Sequence, residues 1–285
     1  MRVRETKKGP KCGIASENNS GNTIELRNVR YRGEPARLML VDGAVESAAY
    51  RTEGLRNELI FPYLKQLSQA FFFRPDIRET LLIGGGGFAY PKYYISRYRQ
   101  RRMDVIEIMP QVIEAARKFF YLDEFIEKEG LNPKEVFVNL PASEEEAAGG
   151  FERASCRVYP EMPVINGKEE TESRLRIFCE DGMNYLLRSD RRYDLIINDA
   201  FTGKAASGDL ASEDGIRLVK AHLNRNGLYM VNVTTAGRGV FAGNGRALKE
   251  RVGRHFRVTA LIPCDEELSE YERQNYLLAA SDFEL

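Results

Sequence analysis

The chain has 285 residues, of which 43% are hydrophobic and 29% charged. That is too apolar for a disordered chain, and at roughly 100–200 residues per domain it allows one large domain or two modest ones. Lys plus Arg and Asp plus Glu each number 42, so no net field steers the chain to nucleic acid or to an anionic membrane. No apolar run approaches the ~20 residues that span a bilayer. The start, MRVRETKKGPKCG, is basic with no apolar stretch behind it, unlike a signal peptide. Cys12, Cys156, Cys179 and Cys264 lie far apart with no CxxC pair. That argues against a disulfide framework or a zinc site and fits a reducing, cytoplasmic setting. His222 and His255 are the only histidines, so no metal site and no chemistry built on clustered imidazoles is expected.

Residues 1–22 are polar and rich in Gly, Asn and Ser, and read as a loose arm. TIELRNVRY alternates apolar and polar residues, and RLMLVDG is an apolar run ending in Asp-Gly. Both read as strands, joined through Gly33-Glu34-Pro35, and residues 23–76 read as a small β domain with a connecting helix. That helix is expected over Leu55 to Phe73, where Leu55, Leu59, Ile60, Tyr63, Leu64 and Leu67 recur at helical spacing.

Residues 77–285 carry the strongest pattern. TLLI is a short strand that runs into Gly84-Gly85-Gly86-Gly87, and a helix follows from Pro91 to Tyr98. MDVIEI is a second strand ending at Glu107-Ile108, and Pro110 opens a helix, PQVIEAARKFFYL. Strand, glycine loop, helix, acid-ended strand and helix make the first half of a doubly wound nucleotide-binding sheet. A segment at about 130–174, with acidic runs and scattered Pro and Gly, reads as a surface insertion. Then come a strand (LRIFC), a helix after Asp181-Gly182, and a strand (YDLIIN) ending at Asp199. Ser212 is placed to cap a helix that Asn226-Gly227 closes, and LYMVNV, Phe256 to Pro263 and NYLLAA supply the remaining strands.

Gly84, Gly85 and Gly86 let the backbone turn tightly and approach a ligand, although four glycines also suit a plain turn. Glu107 follows them by ~20 residues, where nucleotide folds place an acid for the ribose hydroxyls; the alternative is a solvated strand end. No Lys-Ser or Lys-Thr follows the glycines, so the loop is not of the phosphate-gripping Walker type, and it does not continue as GxGxxG. That favours a nucleoside without phosphate, such as S-adenosylmethionine, over a nicotinamide dinucleotide. Asp181 can accept the adenine amine, with Gly182 leaving room for the ring, or it can simply cap a helix. Asp199, at the mouth of the sheet, can act as a general base or anchor a cationic amine, or it can simply form a turn. Arg97, Arg99, Arg101 and Arg102 with Tyr93, Tyr94 and Tyr98 form a basic aromatic stretch. In a neutral chain this reads as a solvated helix end rather than a nucleic-acid face.

LLIGGGGFAY, DVIEIMPQVIEAARKFF, IFCEDGMNYL and YDLIINDAF, in that order, resemble the spermidine synthase (polyamine aminopropyltransferase) family, a branch of the S-adenosylmethionine-dependent methyltransferase fold. LMLVDGAVESA is similar to the family's N-terminal strand motif, and the likeness runs from about Thr23 to Ser281. The resemblance implies an α/β fold: a small N-terminal β domain, then a methyltransferase-type, doubly wound seven-stranded sheet, assembled as a homodimer. It implies a nucleoside pocket made by Gly84, Gly85, Gly86, Glu107, Ile108, Asp181 and Gly182, with Asp199 assisting attack by an amine acceptor.

Four positions depart from the family. Gly87 stands where the family's glycine loop has an Asp that contacts the donor's amine. Thr202 stands for the second Asp of the DxxD block, Arg56 for a tyrosine before the first strand of the large sheet, and Met109 for an Asp after the ribose-binding acid. Without an acid at Gly87, and with Arg56 turned inward, the carboxylate of S-adenosylmethionine itself would be tolerated. The expected function is transfer from S-adenosylmethionine or its decarboxylated form to a small amine, moving an aminopropyl, methyl or aminocarboxypropyl group. The alternative is a non-catalytic nucleoside-binding or scaffold protein of the same fold.

Overall fold

The computed structural model describes residues 16–17, 23–140, 173–202, 205–206, 210–283 and 285, with the backbone alone for 16–17, 201–202 and 205–206. Most of the arm over 1–22 and most of the insertion at about 130–174 lie outside the described residues. Strands β1 (Ser16–Glu17), β2 (Thr23–Tyr31), β3 (Glu34–Val41) and β4 (Ala44–Tyr50) form an antiparallel sheet in that order. Arg32-Gly33 and Asp42-Gly43 join the last three, all four residues with positive φ, the mirror-image turn geometry that matches strand twist. Met39 pairs with Ser47 but Leu40 pairs with Val45, so Glu46 is an extra residue bulged out of β4.

The helix expected over Leu55 to Phe73 is shorter and broken. α1 spans Pro62–Gln66, a 3-10 turn covers Leu67–Gln69, and α2 spans Ala70–Phe73. Pro62 is the cause: its ring holds Phe61 in extended backbone (φ −76°, ψ 132°), so the helix can begin only there. Leu59, Ile60 and Phe61 are buried all the same, ahead of the helix.

The large sheet contains β5 (Glu79–Ile83), β6 (Arg102–Glu107), β7 (Leu175–Cys179), β8 (Tyr193–Asn198), β11 (Leu223–Thr235), β12 (Val258–Pro263) and β13 (Gln274–Ser281). A two-stranded pair, β9 (Phe201–Thr202) with β10 (Ala205–Ala206), lies apart from it. The large sheet's order is β12-β13-β11-β8-β5-β6-β7, with β13 antiparallel to both neighbours. β5 to β8 and β11 are parallel where they pair, and each carries an apolar run, as strands covered on both faces require. The chain leaves β5 for β6 on one side and returns to β8 on the other, so the crevice for a ligand opens at the carboxyl ends of β5 and β8.

One face carries α3 (Ala89–Arg97), α4 (Pro110–Phe119), α5 (Leu122–Lys128), α6 (Pro133–Val136) and the N-terminal sheet, sharing one apolar cluster that runs from Ile24 and Met39 to Tyr94 and Val105. The other face carries α7 (Gly182–Arg188), α8 (Glu213–Ala221) and α9 (Gly243–Gly253) over a second cluster. Ser212 caps α8 as expected, its Oγ accepting from Gly215 N at 3.0 Å. Asn226-Gly227 does not close that helix. α8 ends at Ala221, and the pair sits in an irregularity of β11 between Leu223 and Leu228, where Asn226 takes φ 60°. Among the described residues no helix is long and apolar enough to cross a membrane.

Lys92, on α3, is fully buried. Its Nζ donates to the carbonyls of Phe120, at the end of α4, and of Arg56, and burial pushes the ammonium down to about 7. A neutral amine has two N–H groups, and two carbonyls wait for them. Since the unfolded lysine titrates near 10.5, the folded state binds fewer protons between pH 7 and 10.5, and stability rises with pH across that window. Urea unfolding from pH 7 to 9.5 should show wild-type stability climbing toward ~1.4 kcal/mol per pH unit relative to Lys92→Met. Parallel pH dependences of the two proteins would contradict this.

Candidate functional site

The glycine loop starts where β5 ends. Gly84 N donates to Ile106 O at 2.8 Å and Asp199 N donates to Ile83 O at 2.8 Å, so the ends of β5, β6 and β8 are tied together. Gly84 has φ +97°, and a Cβ there would stand 2.7 Å from the carbonyl oxygen of Asp199. No other residue fits.

Glu107 lies beneath the loop and is buried. Its Oε2 accepts from Gly85 N at 3.0 Å and Gly86 N at 3.1 Å, and its Oε1 from Met109 N at 3.0 Å. Burial pushes this carboxyl up, and the backbone donors hold it part of the way down. Glu107 is thus the brace of the glycine loop, its carboxylate taken up by backbone N–H groups. Ile108 beside it is 46% exposed, an apolar face open at the crevice.

Asp181 caps α7, its Oδ1 accepting from Asn184 N at 3.0 Å, which is the plainer of its two expected uses. Its Oδ2 accepts no hydrogen bond among the described residues. Gly182 packs under β5, where a Cβ would meet Ile83 Cγ2 at 2.7 Å.

Asp199 is held by two side chains. Oδ1 accepts from Asn232 Nδ2 at 2.7 Å and Oδ2 from the Tyr63 hydroxyl at 3.1 Å. Asn232 is oriented in turn by Asn275, whose Nδ2 donates to Asn232 Oδ1 at 2.8 Å. Burial pushes the Asp199 carboxyl up to about 7; the two donors pull it down and the nearby Glu46 pushes it up. The Cys179 and Cys264 thiols are pushed up to about 12 by burial, so neither is a thiolate nucleophile near neutral pH.

Tyr63, Asn232 and Asn275 were not legible as site residues. Tyr63 falls in a run of apolar residues at helical spacing. Asn232 did carry a signal, since an amide inside the strand MVNV is a buried polar residue in need of a partner.

No protein-family model matches the chain. Over 174 residues, 61% of this chain and 44% of the relative, it is 22% identical to the polyamine aminopropyltransferase of Vibrio vulnificus strain CMCP6. Over 201 residues, 70% and 52%, it is 24% identical to that of Thermococcus onnurineus strain NA1. The chain spans about half the length of these relatives. A solved structure of a probable spermidine synthase from Corynebacterium glutamicum ATCC 13032 matches with a TM-score of 0.64 at 17% identity, over 93% of this chain and 78% of that one. The chain is thus similar, at low identity, to polyamine aminopropyltransferases. A spermidine synthase in complex with the transition-state analogue AdoDATO has the same fold, with a TM-score of 0.53 at 15% identity over 98% of this chain and 82% of that one.

The departures from the aminopropyltransferase pattern have structural counterparts. Gly87 is not an opened space. Ser47 and Phe120 fill it, and a Cβ would stand 2.9 Å from Ser47 Cβ and 3.0 Å from Phe120 Cδ1. Arg56 does not turn inward; it pairs with Glu124 at 2.5 Å and lies 4.1 Å over the Tyr121 ring. Met109 contributes its backbone N–H to Glu107. The Thr202 side chain lies outside the described residues. The basic aromatic stretch is a partly solvated helix end: Arg97 and Arg99 are exposed, while Arg101 lies over Phe71 at 3.8 Å and over Tyr98 at 4.5 Å and Tyr94 is buried.

Proposed function

We propose that the chain is an aminopropyltransferase-type enzyme that alkylates a small amine with a sulfonium nucleoside of the S-adenosylmethionine class. The observation that carries this reading is Asp199, a carboxyl pushed up to about 7 and held by Tyr63 and Asn232 at the crevice mouth. Gly84 to Gly86, Glu107 and Ile108 form the nucleoside side of the crevice, and Asp181 with Gly182 borders it. The backbone comes close there, an apolar face is open at Ile108, and a carboxylate oxygen of Asp181 is unused among the described residues. These suit a ribose, an adenine face and an exocyclic amine. The likeness to polyamine aminopropyltransferases and the AdoDATO complex of a structural neighbour support the same class of donor.

When bound, a sulfonium donor supplies an already activated carbon: an amine lone pair forms the C–N bond, the C–S bond breaks, and its electron pair stays on sulfur as a neutral thioether. The protein's part is alignment and proton management. Asp199 takes the proton that an ammonium acceptor must lose before its nitrogen can attack. Tyr63 and Asn232 fix where that proton goes, since each occupies one side of the carboxylate. A homodimer in the cytoplasm, acting without a metal, completes the reading.

The test is product analysis. The protein is incubated with the decarboxylated donor or with S-adenosylmethionine, each with a panel of aliphatic α,ω-diamines. Release of 5'-methylthioadenosine from the decarboxylated donor, dependent on the diamine, is expected. S-adenosylhomocysteine release would reassign the chemistry to methyl transfer, and no release of either would make the chain a binding protein.

A further inference from the structure

Asp199 stands at the end of a side-chain relay that begins on β13. β11 pairs Val231 with Asn198 of β8, so the next residues along, Asn232 and Asp199, are neighbours. β13 pairs Asn275 with Thr234, which sets Asn275 diagonally across from Asn232 on the same face. Asn275 Nδ2 donates to Asn232 Oδ1 at 2.8 Å, and Asn232 Nδ2 donates to Asp199 Oδ1 at 2.7 Å. Both amides are firmly seated. Asn232 is buried. Asn275 is held in the sheet by its pairing with β11, and Cys264 N donates to its carbonyl oxygen at 3.0 Å.

The direction of the relay matters. An ionised carboxylate only accepts hydrogen bonds, whereas an amide has a donating end and an accepting end. With its nitrogen toward Asp199, Asn232 favours the ionised carboxylate; with its oxygen there, it would favour the protonated acid. Among the described residues Asn275 is the donor that the Asn232 oxygen has. Without it, that buried oxygen stands unpaired in its present orientation, at the cost of a desolvated acceptor. The proton of a neutral Asp199 would then be the donor within reach, after a half-turn of the Asn232 amide.

We infer that Asn275 is a positioning residue: it keeps the Asn232 amide nitrogen toward Asp199, and so holds Asp199 ready to accept a proton. Its part in the transfer rests on reading Asp199 as the base. Other groups also act on Asp199, from other elements: the Tyr63 hydroxyl from α1, the charge of Glu46 from β4, and the Cys264 thiol just after β12. Position 275 reaches Asp199 through Asn232 and not through these.

Carboxyl NMR tests it, on ligand-free protein isotopically labelled at aspartate, with the Asp199 signal assigned by its loss in Asp199→Asn. Asn275→Leu, nearly the same size without the amide, should raise the Asp199 titration midpoint by ~0.5–1 pH unit. Asn232→Leu should raise it further, and adding Asn275→Leu to that variant should raise it no more. Asn275→Thr suits a strand, and its hydroxyl is one bond shorter than the amide nitrogen. It should shift Asp199 in the same direction, which keeps the test open if the leucine variant does not fold. A wild-type midpoint in Asn275→Leu and Asn275→Thr, or shifts at 275 and 232 that simply add, would overturn the relay. The titration needs no turnover. An absence of product from either donor would overturn the transfer reading while leaving the relay to stand or fall on its own midpoint.

Discussion

Asp199→Asn should lower kcat by roughly 10²- to 10⁴-fold, the range over which a positioned general base contributes, while leaving donor affinity nearly unchanged. Asparagine keeps the shape and the partners of Asp199 but cannot take a proton. In the wild type, kcat/KM should rise with pH through an inflection near 7, as Asp199 loses its proton. The neighbours set the direction of further shifts. Asn232 and Tyr63 hold the carboxyl down, so Asn232→Ala and Tyr63→Phe should move the inflection upward; Glu46 pushes it up, so Glu46→Gln should move it downward. The same group affects stability in the opposite sense. Its folded pKa lies above the unfolded value near 3.8, so the folded state binds the extra proton and stability falls as pH rises from about 4 to 7. Asp199→Asn should therefore be more stable than wild type at pH 8, by roughly 2–4 kcal/mol, a cost of function removed together with function. A pH-independent rate, or an asparagine variant with wild-type turnover, would remove Asp199 from the chemistry.

The large sheet was legible in the sequence because its strands are short apolar runs bounded by Gly, Pro and Asp, and each such run did become a strand. β7 and β8 begin and end where LRIFC and YDLIIN do. Glu107 and the loop could be paired because a two-sided sheet puts successive strand ends side by side. What the sequence hid was the pairing of side chains distant along the chain. Tyr63 reaches Asp199 across 136 residues, and no local pattern distinguishes its hydroxyl from the apolar face of a helix. Pro62 was visible, but its consequence, Leu59 to Phe61 buried outside any helix, depends on the core those residues fill. The bulge at Glu46 was hidden for a similar reason. Register is a property of two strands, and only the pairing of β3 with β4 exposes the extra residue. Arg56 shows the reverse error: a cation near a site in sequence was free to face it, yet in three dimensions Glu124 and the Tyr121 ring hold it elsewhere.

Restoring the acid of the family's glycine loop, by Gly87→Asp, should destabilise the protein by about 3 kcal/mol or more, through overpacking and a buried charge. Gly87 does not have a positive φ, so backbone strain is not the obstacle. Space is the obstacle, with Ser47 and Phe120 standing where the side chain must start. Charge adds to it, because the new carboxylate would lie on the loop braced by Glu107. Ser47→Gly removes one of the two obstructing side chains, so the double variant should recover part of the loss. Urea unfolding of the four proteins gives the coupling between the two positions directly. If Gly87→Asp is as stable as the wild type, Ser47 does not exclude an acid. If the two changes add without coupling, Ser47 is a bystander. Strong positive coupling would mean that Ser47 and an acid at position 87 are alternatives.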